Sequence, residues 1–133
     1  MTDLVLVDTS AWICFFARKD FLEIKETVSH LLDENRAAVA GPVLVELIQG
    51  ARTEKERDFL KNRIEGLHWL TVTDMHWHEA ADLSFKLRRK GVTVPAIDVL
   101  LAATAISYQC DLLHRDDDFH LIARHSALRV YRE

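Results

Sequence analysis

The 133 residues are 49% hydrophobic and 29% charged, a balance that predicts one folded domain spanning 1–133 with a sizeable buried core. The formal net charge of −4 excludes a broadly basic nucleic-acid binder, although local basic clusters can still meet phosphate. No apolar run approaches the roughly 20 residues of a membrane span, and no basic segment precedes an apolar stretch near the first residue. The expectation is a cytoplasmic protein with no membrane partner.

In chain order, Val5 and Val7 with their leucine neighbours predict a short strand buried on both faces, hence parallel and central. Thr9 or Ser10 can cap a helix reaching about Arg18. Phe21, Ile24, Val28, Leu31 and Leu32 fall at helical spacing, with Asn35 as a stop. "AAVAGP" (37–42) reads as a second strand, and Gly41-Pro42 opens another helix. "TEKERDFLKNRIE" (53–65) is helical and ends at Gly66. "LHWLTV" (67–72) reads as a strand, and Asp74 caps a helix with a Trp77, Ala80, Leu83, Leu87 stripe up to Gly91.

After Pro95, Ile97, Leu100, Leu101, Thr104 and Tyr108 share a helical face. "DLLH" (111–114) is a strand, a short helix occupies 117–124, and "ALRVY" (127–131) is a last strand. Strands and helices alternating in this rhythm predict an α/β fold, a three-layer α/β/α sandwich around a central parallel sheet. Cys14 and Cys110 sit in apolar surroundings without a CxxC pattern and read as reduced core residues, a disulfide being the alternative.

Four acidic positions interrupt apolar context: Asp8 after the first strand, Glu46 in "VLVELI", Asp98 in "PAIDVLLAA", and the run Asp116, Asp117, Asp118. Carboxylates near a sheet edge need compensation, and no Lys or Arg lies within several residues of Asp8, Glu46 or Asp98. A divalent cation would compensate them, and Mg2+ favours such hard oxygen ligands. Each position also has an ordinary reading. Asp8 can cap a helix, and Glu46 can lie on a solvated stripe with Gln49, Gly50 and Thr53. Asp98 can answer a helix dipole, and the triple Asp can form a capping turn.

Taken in order, "VLVDTSAW", "GPVLVELIQGAR", "PAIDVLLAATA" and "LLHRDDDF" resemble the PIN-domain ribonucleases, above all the VapC-type toxins of toxin–antitoxin pairs. The resemblance covers essentially the whole chain. It implies a PIN-like sandwich with an acidic pocket at the carboxyl ends of the strands, and Mg2+- or Mn2+-dependent endonucleolytic cleavage of RNA. On that reading Asp8, Glu46, Asp98 and Asp116 are the catalytic acids, with Asp8 and Asp98 as direct metal ligands. Thr9, Ser10, His114 and Asp118 support them, Asp118 being a possible substitute for Asp116. The family usually has Thr or Ser where this chain has His114, and the imidazole is expected to donate to a carboxylate or to phosphate. A homodimer and a cognate antitoxin lying along the active-site groove are implied as well, with the apolar helices at 11–16 and 43–48 as docking surfaces.

Arg52, Arg89, Lys90 and Arg115 are candidates for a basic rim that contacts RNA phosphates; "RRK" (88–90) can equally be a solvated helix end. "HWH" (76–78) has i, i+2 spacing, so its rings diverge on a helix and predict no zinc site. Two other functions fit parts of the pattern. A haloacid-dehalogenase-type phosphatase also uses a strand-terminal Asp, but it wants a second Asp where this chain has Ser10. A non-catalytic PIN-like binding module would tolerate loss of acids that are all present here.

Overall fold

Val5–Val7 (β1) is buried on both faces because every residue in it is apolar, and a strand enclosed in this way needs neighbours on each side. It has them in the computed structural model, which describes residues 3–132. Thr9–Phe16 (α1) and Leu22–Asp33 (α2) carry the chain to Ala37–Val39 (β2). Gly41–Gln49 (α3) and Glu54–Glu65 (α4) then lead to His68–Trp69 (β3). Asp74–Arg89 (α5) and Ala96–Tyr108 (α6) precede Asp111–Leu113 (β4), and Asp117–Arg124 (α7) follows it.

All pairings in the sheet are parallel, in the order β3-β2-β1-β4, with Val5 opposite both Ala37 and Asp111. Helices cover the sheet to give the three-layer α/β/α sandwich expected from the sequence. The chain winds outward from β1 through β2 to β3, then returns to place β4 on the other side. A crevice therefore opens between the carboxyl ends of β1 and β4, where parallel sheets bind ligands. The Asp8 N–H donates to the Leu113 carbonyl at 2.9 Å, joining the two strand ends across that boundary.

The core is continuous. Trp12, Leu31, Ile64, Leu100, Leu101, Phe119 and Ile122 are fully enclosed, each worth about 1.5–3 kcal/mol of apolar burial. Cys14 and Cys110 are both free and buried, and burial pushes the Cys110 thiol up to about 11.

Several expectations are corrected at element ends. Asp8 caps α1 rather than Thr9 or Ser10, and the helix stops at Phe16, short of Arg18. The strand expected over 67–72 pairs only at 68–69, and the Thr71 carbonyl is taken instead by the Tyr108 hydroxyl at 2.7 Å. The strand expected over 127–131 is reduced to one parallel bridge between Leu112 and Val130. Thr73, not Asp74, caps α5. His76 Nδ1 accepts the Thr73 N–H at 2.8 Å, which turns His76 inward against Tyr108 and rotates Trp77 out to 54% exposure. Trp77 therefore lies off the apolar stripe assigned to it.

Candidate active site

β1 ends at Asp8 because the carboxylate is a better helix cap than a strand residue. Its Oδ2 accepts the Ser10 N–H at 3.0 Å and the Ser10 hydroxyl at 2.7 Å. Ser10 Oγ in turn accepts the Arg115 N–H at 2.9 Å, so one hydroxyl ties the end of β1 to the loop after β4. Burial raises the Asp8 pKa; the Ser10 bonds oppose this and the charge of Glu46 adds to it. Thr9 Oγ1 donates to Glu46 Oε1 at 2.7 Å, holding the exposed Glu46 of α3 beside the first turn of α1.

Pro95 blocks helical conformation before it and starts α6 after it, which sets Asp98 in the first turn. On the other side of the crevice, Asp116 caps α7, its Oδ1 accepting the Asp118 N–H at 3.0 Å. Oxygen atoms of Asp98, Asp116 and Asp118 all lie within 4.8 Å of one another. Asp98 is pushed up to about 7, first by burial, then by the charges of Asp8 and Asp116, with Asp118 contributing as well. Among the described residues, no Lys or Arg side chain forms an ion pair with any of these acids. An all-carboxylate set without a cationic partner fits a hard divalent ion such as Mg2+ or Mn2+ better than a softer one.

Asp98 thus shares a tight cluster with two acids at the start of α7. Asp8, named with it as a direct ligand from the sequence, lies outside the tight trio while still acting on Asp98 through its charge. Asp118, expected as a substitute, stands beside Asp116 as a full member. The signal for this was its i, i+2 spacing from a capping Asp, which brings both side chains to the same helix start.

His114 is held by a backbone bond at one ring nitrogen, which leaves the expected donation to the other. Its Nδ1 accepts the Asp116 N–H at 3.0 Å, the bond that a Thr or Ser oxygen there would also accept. That bond puts the ring proton on Nε2, which is buried without a partner. The ring packs against Phe119 and His120, with centroids 5.1 and 4.7 Å away. Burial first, and then the adjoining His120, lower its pKa to about 4 against the pull of nearby aspartates.

The basic candidates are dispersed. Arg52 lines a cavity of about 570 Å³ beside Glu46, together with Ile13, Phe16, Leu47 and Leu60. The Arg115 guanidinium lies over the Phe21 ring at 5.7 Å, and that of Arg89 over Phe85 at 5.8 Å. Lys90 is the exposed C-cap of α5. No described ion pair links any of the four to the acidic cluster.

The PIN domain family matches residues 5–125. The chain is 36% identical over 131 residues to VapC ribonuclease Mb1587 of Mycobacterium bovis, covering 96% of this chain and 97% of that protein. It has the same identity and coverage with ribonuclease VapC11 of Mycobacterium tuberculosis. Among solved structures, VapBC2 from Rickettsia felis, bound to a DNA fragment from its promoter, superposes with a TM-score of 0.79. The two are 19% identical, covering 96% of this chain and 97% of that one. FitAcB from Neisseria gonorrhoeae gives a TM-score of 0.76 at 16% identity, over 97% of both chains.

Proposed function

The chain belongs to the PIN domain family, and from that premise we propose that it is a metal-dependent endoribonuclease, the VapC-type toxin of a toxin–antitoxin pair. The observation that carries the reading is the trio Asp98, Asp116 and Asp118, with oxygens within 4.8 Å and Asp98 raised to about 7 by burial and by the charges of its acidic neighbours. Mg2+ or Mn2+ is the ion of choice on the chemistry of the donors.

When bound, a divalent ion supplies positive charge for the phosphoryl oxygens and lowers the pKa of water at the site. The chain's own residues do the rest. Asp98, Asp116 and Asp118 would hold the ion. Asp8, its orientation fixed by the two Ser10 bonds, would add its charge from the end of β1. Glu46, steadied by Thr9, would offer a carboxylate from α3 to orient or deprotonate the attacking water. His114 keeps the turn before α7 in the form that presents Asp116.

Ser10 also argues against the phosphatase alternative, since its hydroxyl is committed to Asp8 where that chemistry needs a second carboxylate. The cavity beside Glu46, with Ile13, Phe16 and Leu47 on its wall, supports docking of a cognate antitoxin segment close to the acids. The relatives' names and the toxin–antitoxin complexes among the structural neighbours support the same assignment. A homodimer, a cytoplasmic location and a single domain over 1–133 complete the proposal; no described helix is long and apolar enough to cross a membrane. The ends of that span, Met1, Thr2 and Glu133, lie outside the described residues.

Purified protein is expected to cut RNA with Mg2+ or Mn2+ and to stop when EDTA is added. Asp98→Asn is expected to lower cleavage at least about a hundredfold while retaining the far-UV spectrum. Cleavage indifferent to EDTA, or an undiminished Asp98→Asn variant, overturns the proposal.

A further inference from the structure

A polyanionic substrate has to approach a site whose nearest groups are carboxylates, so cationic contacts must lie along its path. The cavity beside Glu46 is of mixed sign, with Arg18 and Arg52 facing Glu46 and Glu56. A different groove, of about 370 Å³, lies along the later turns of α7 and has no carboxylate among the described residues of its lining, while Arg132 on its edge also borders a cavity holding Glu23 and Glu26. The groove's polar groups are His120, Arg124 and Arg132, all exposed, over a floor of Ala123 and Val130. Neither guanidinium forms an ion pair among the described residues.

Three observations connect this groove to the acids. His120 packs against His114 at 4.7 Å, and His114 Nδ1 accepts the N–H of Asp116. His120 and Arg124 are four residues apart on α7 and so share a face. From Asp116 to Arg124 the helix advances about 12 Å, the reach of a short stretch of single strand. A strand leaving the acidic trio along α7 therefore meets His120 and then Arg124, with Arg132 on the same groove from the segment after α7. A guanidinium presents a planar fork that matches phosphate oxygens and holds its charge at every physiological pH.

We propose that the groove formed by His120, Arg124 and Arg132 is an RNA phosphate-binding track that holds the substrate backbone beyond the scissile bond. It deepens the nuclease reading by naming where the strand runs. It differs from the basic rim expected at Arg52, Arg89, Lys90 and Arg115, none of which lines this groove, although Arg115 shares an adjoining cavity with Arg132.

The test is the salt dependence of binding to a fluorescently labelled single-stranded RNA without divalent ion, so that no cutting occurs. Arg124→Gln/Arg132→Gln is compared with wild type and with Arg124→Lys/Arg132→Lys. Loss of two phosphate contacts is expected to reduce the slope of log K against log salt by about 1.4. The Lys pair is expected to keep most of it. With Mg2+ present, the Gln pair is expected to raise KM for RNA several-fold at constant kcat, with unchanged Mn2+ affinity. An unchanged slope in the Gln pair overturns the proposal, as does a loss confined to binding an acidic peptide, which would mark the groove as a protein-docking surface. If wild type binds RNA yet never cuts it, the nuclease reading fails, while the slope comparison still decides the track.

Discussion

Asp98 carries the sharpest electrostatic conflict in the molecule, because burial and three neighbouring carboxylates all oppose its ionisation. A carboxyl with a folded pKa of about 7 against 3.8 unfolded binds more protons in the folded state across that interval. The metal-free protein therefore loses stability as pH rises from about 4 to about 7, and the loss levels off above. A divalent ion acts in the opposite sense by stabilising the ionised form. Thermal melts without metal are expected to show a lower Tm near pH 8 than near pH 5, and added Mg2+ to raise Tm more at the higher pH. A metal-free Tm that is flat or rises over this window contradicts the assignment. At this scale the sequence was informative about which residues are acidic and isolated from bases. It was silent about Nδ1 of His114 accepting a backbone N–H, because residue type alone does not fix a tautomer or a ring's orientation.

The elements earn their positions from short local signals, and the misreadings have local causes. Thr53 before the Glu-rich turn and Gly66 after Glu65 bound α4 where the sequence placed it, since cap and stop are both written in side chains. β3 and the 127–131 segment were overextended because alternating apolar residues predict strand, whereas pairing depends on a neighbouring edge that sequence does not reveal. Trp77 was misassigned because a histidine at the third position of α5 bonds back to its cap and takes the inward direction. α7 matters most to the site, for it presents Asp116 and Asp118 and is anchored by Phe119, which is fully buried against His114. Phe119→Ala is expected to cost about 3–5 kcal/mol in denaturant unfolding. Where the variant still folds, it should also weaken Mn2+ binding. A loss of stability below about 1 kcal/mol would show that α7 is not held by this contact.

At the scale of the whole molecule, the winding β3-β2-β1-β4 converts distant positions into one crevice. Asp8 ends the central strand, Asp98 opens the helix before β4, and Asp116 and Asp118 open the helix after it. The parallel architecture was legible from the alternation of strands and helices, and the approximate place of the site from the rule that parallel sheets bind at their carboxyl ends. Which acids form the tight trio was not legible, since it depends on how α6 and α7 pack across the crevice and not on their spacing in the chain. The central claim is that these separated carboxylates share one divalent ion. It is tested most directly by a crystal structure of the protein with Mn2+ and its anomalous difference map. The account predicts a peak within about 2.2 Å of oxygens from Asp98 and at least one of Asp116 and Asp118; a crevice without a peak at saturating Mn2+, or an ion bound only elsewhere, would contradict it.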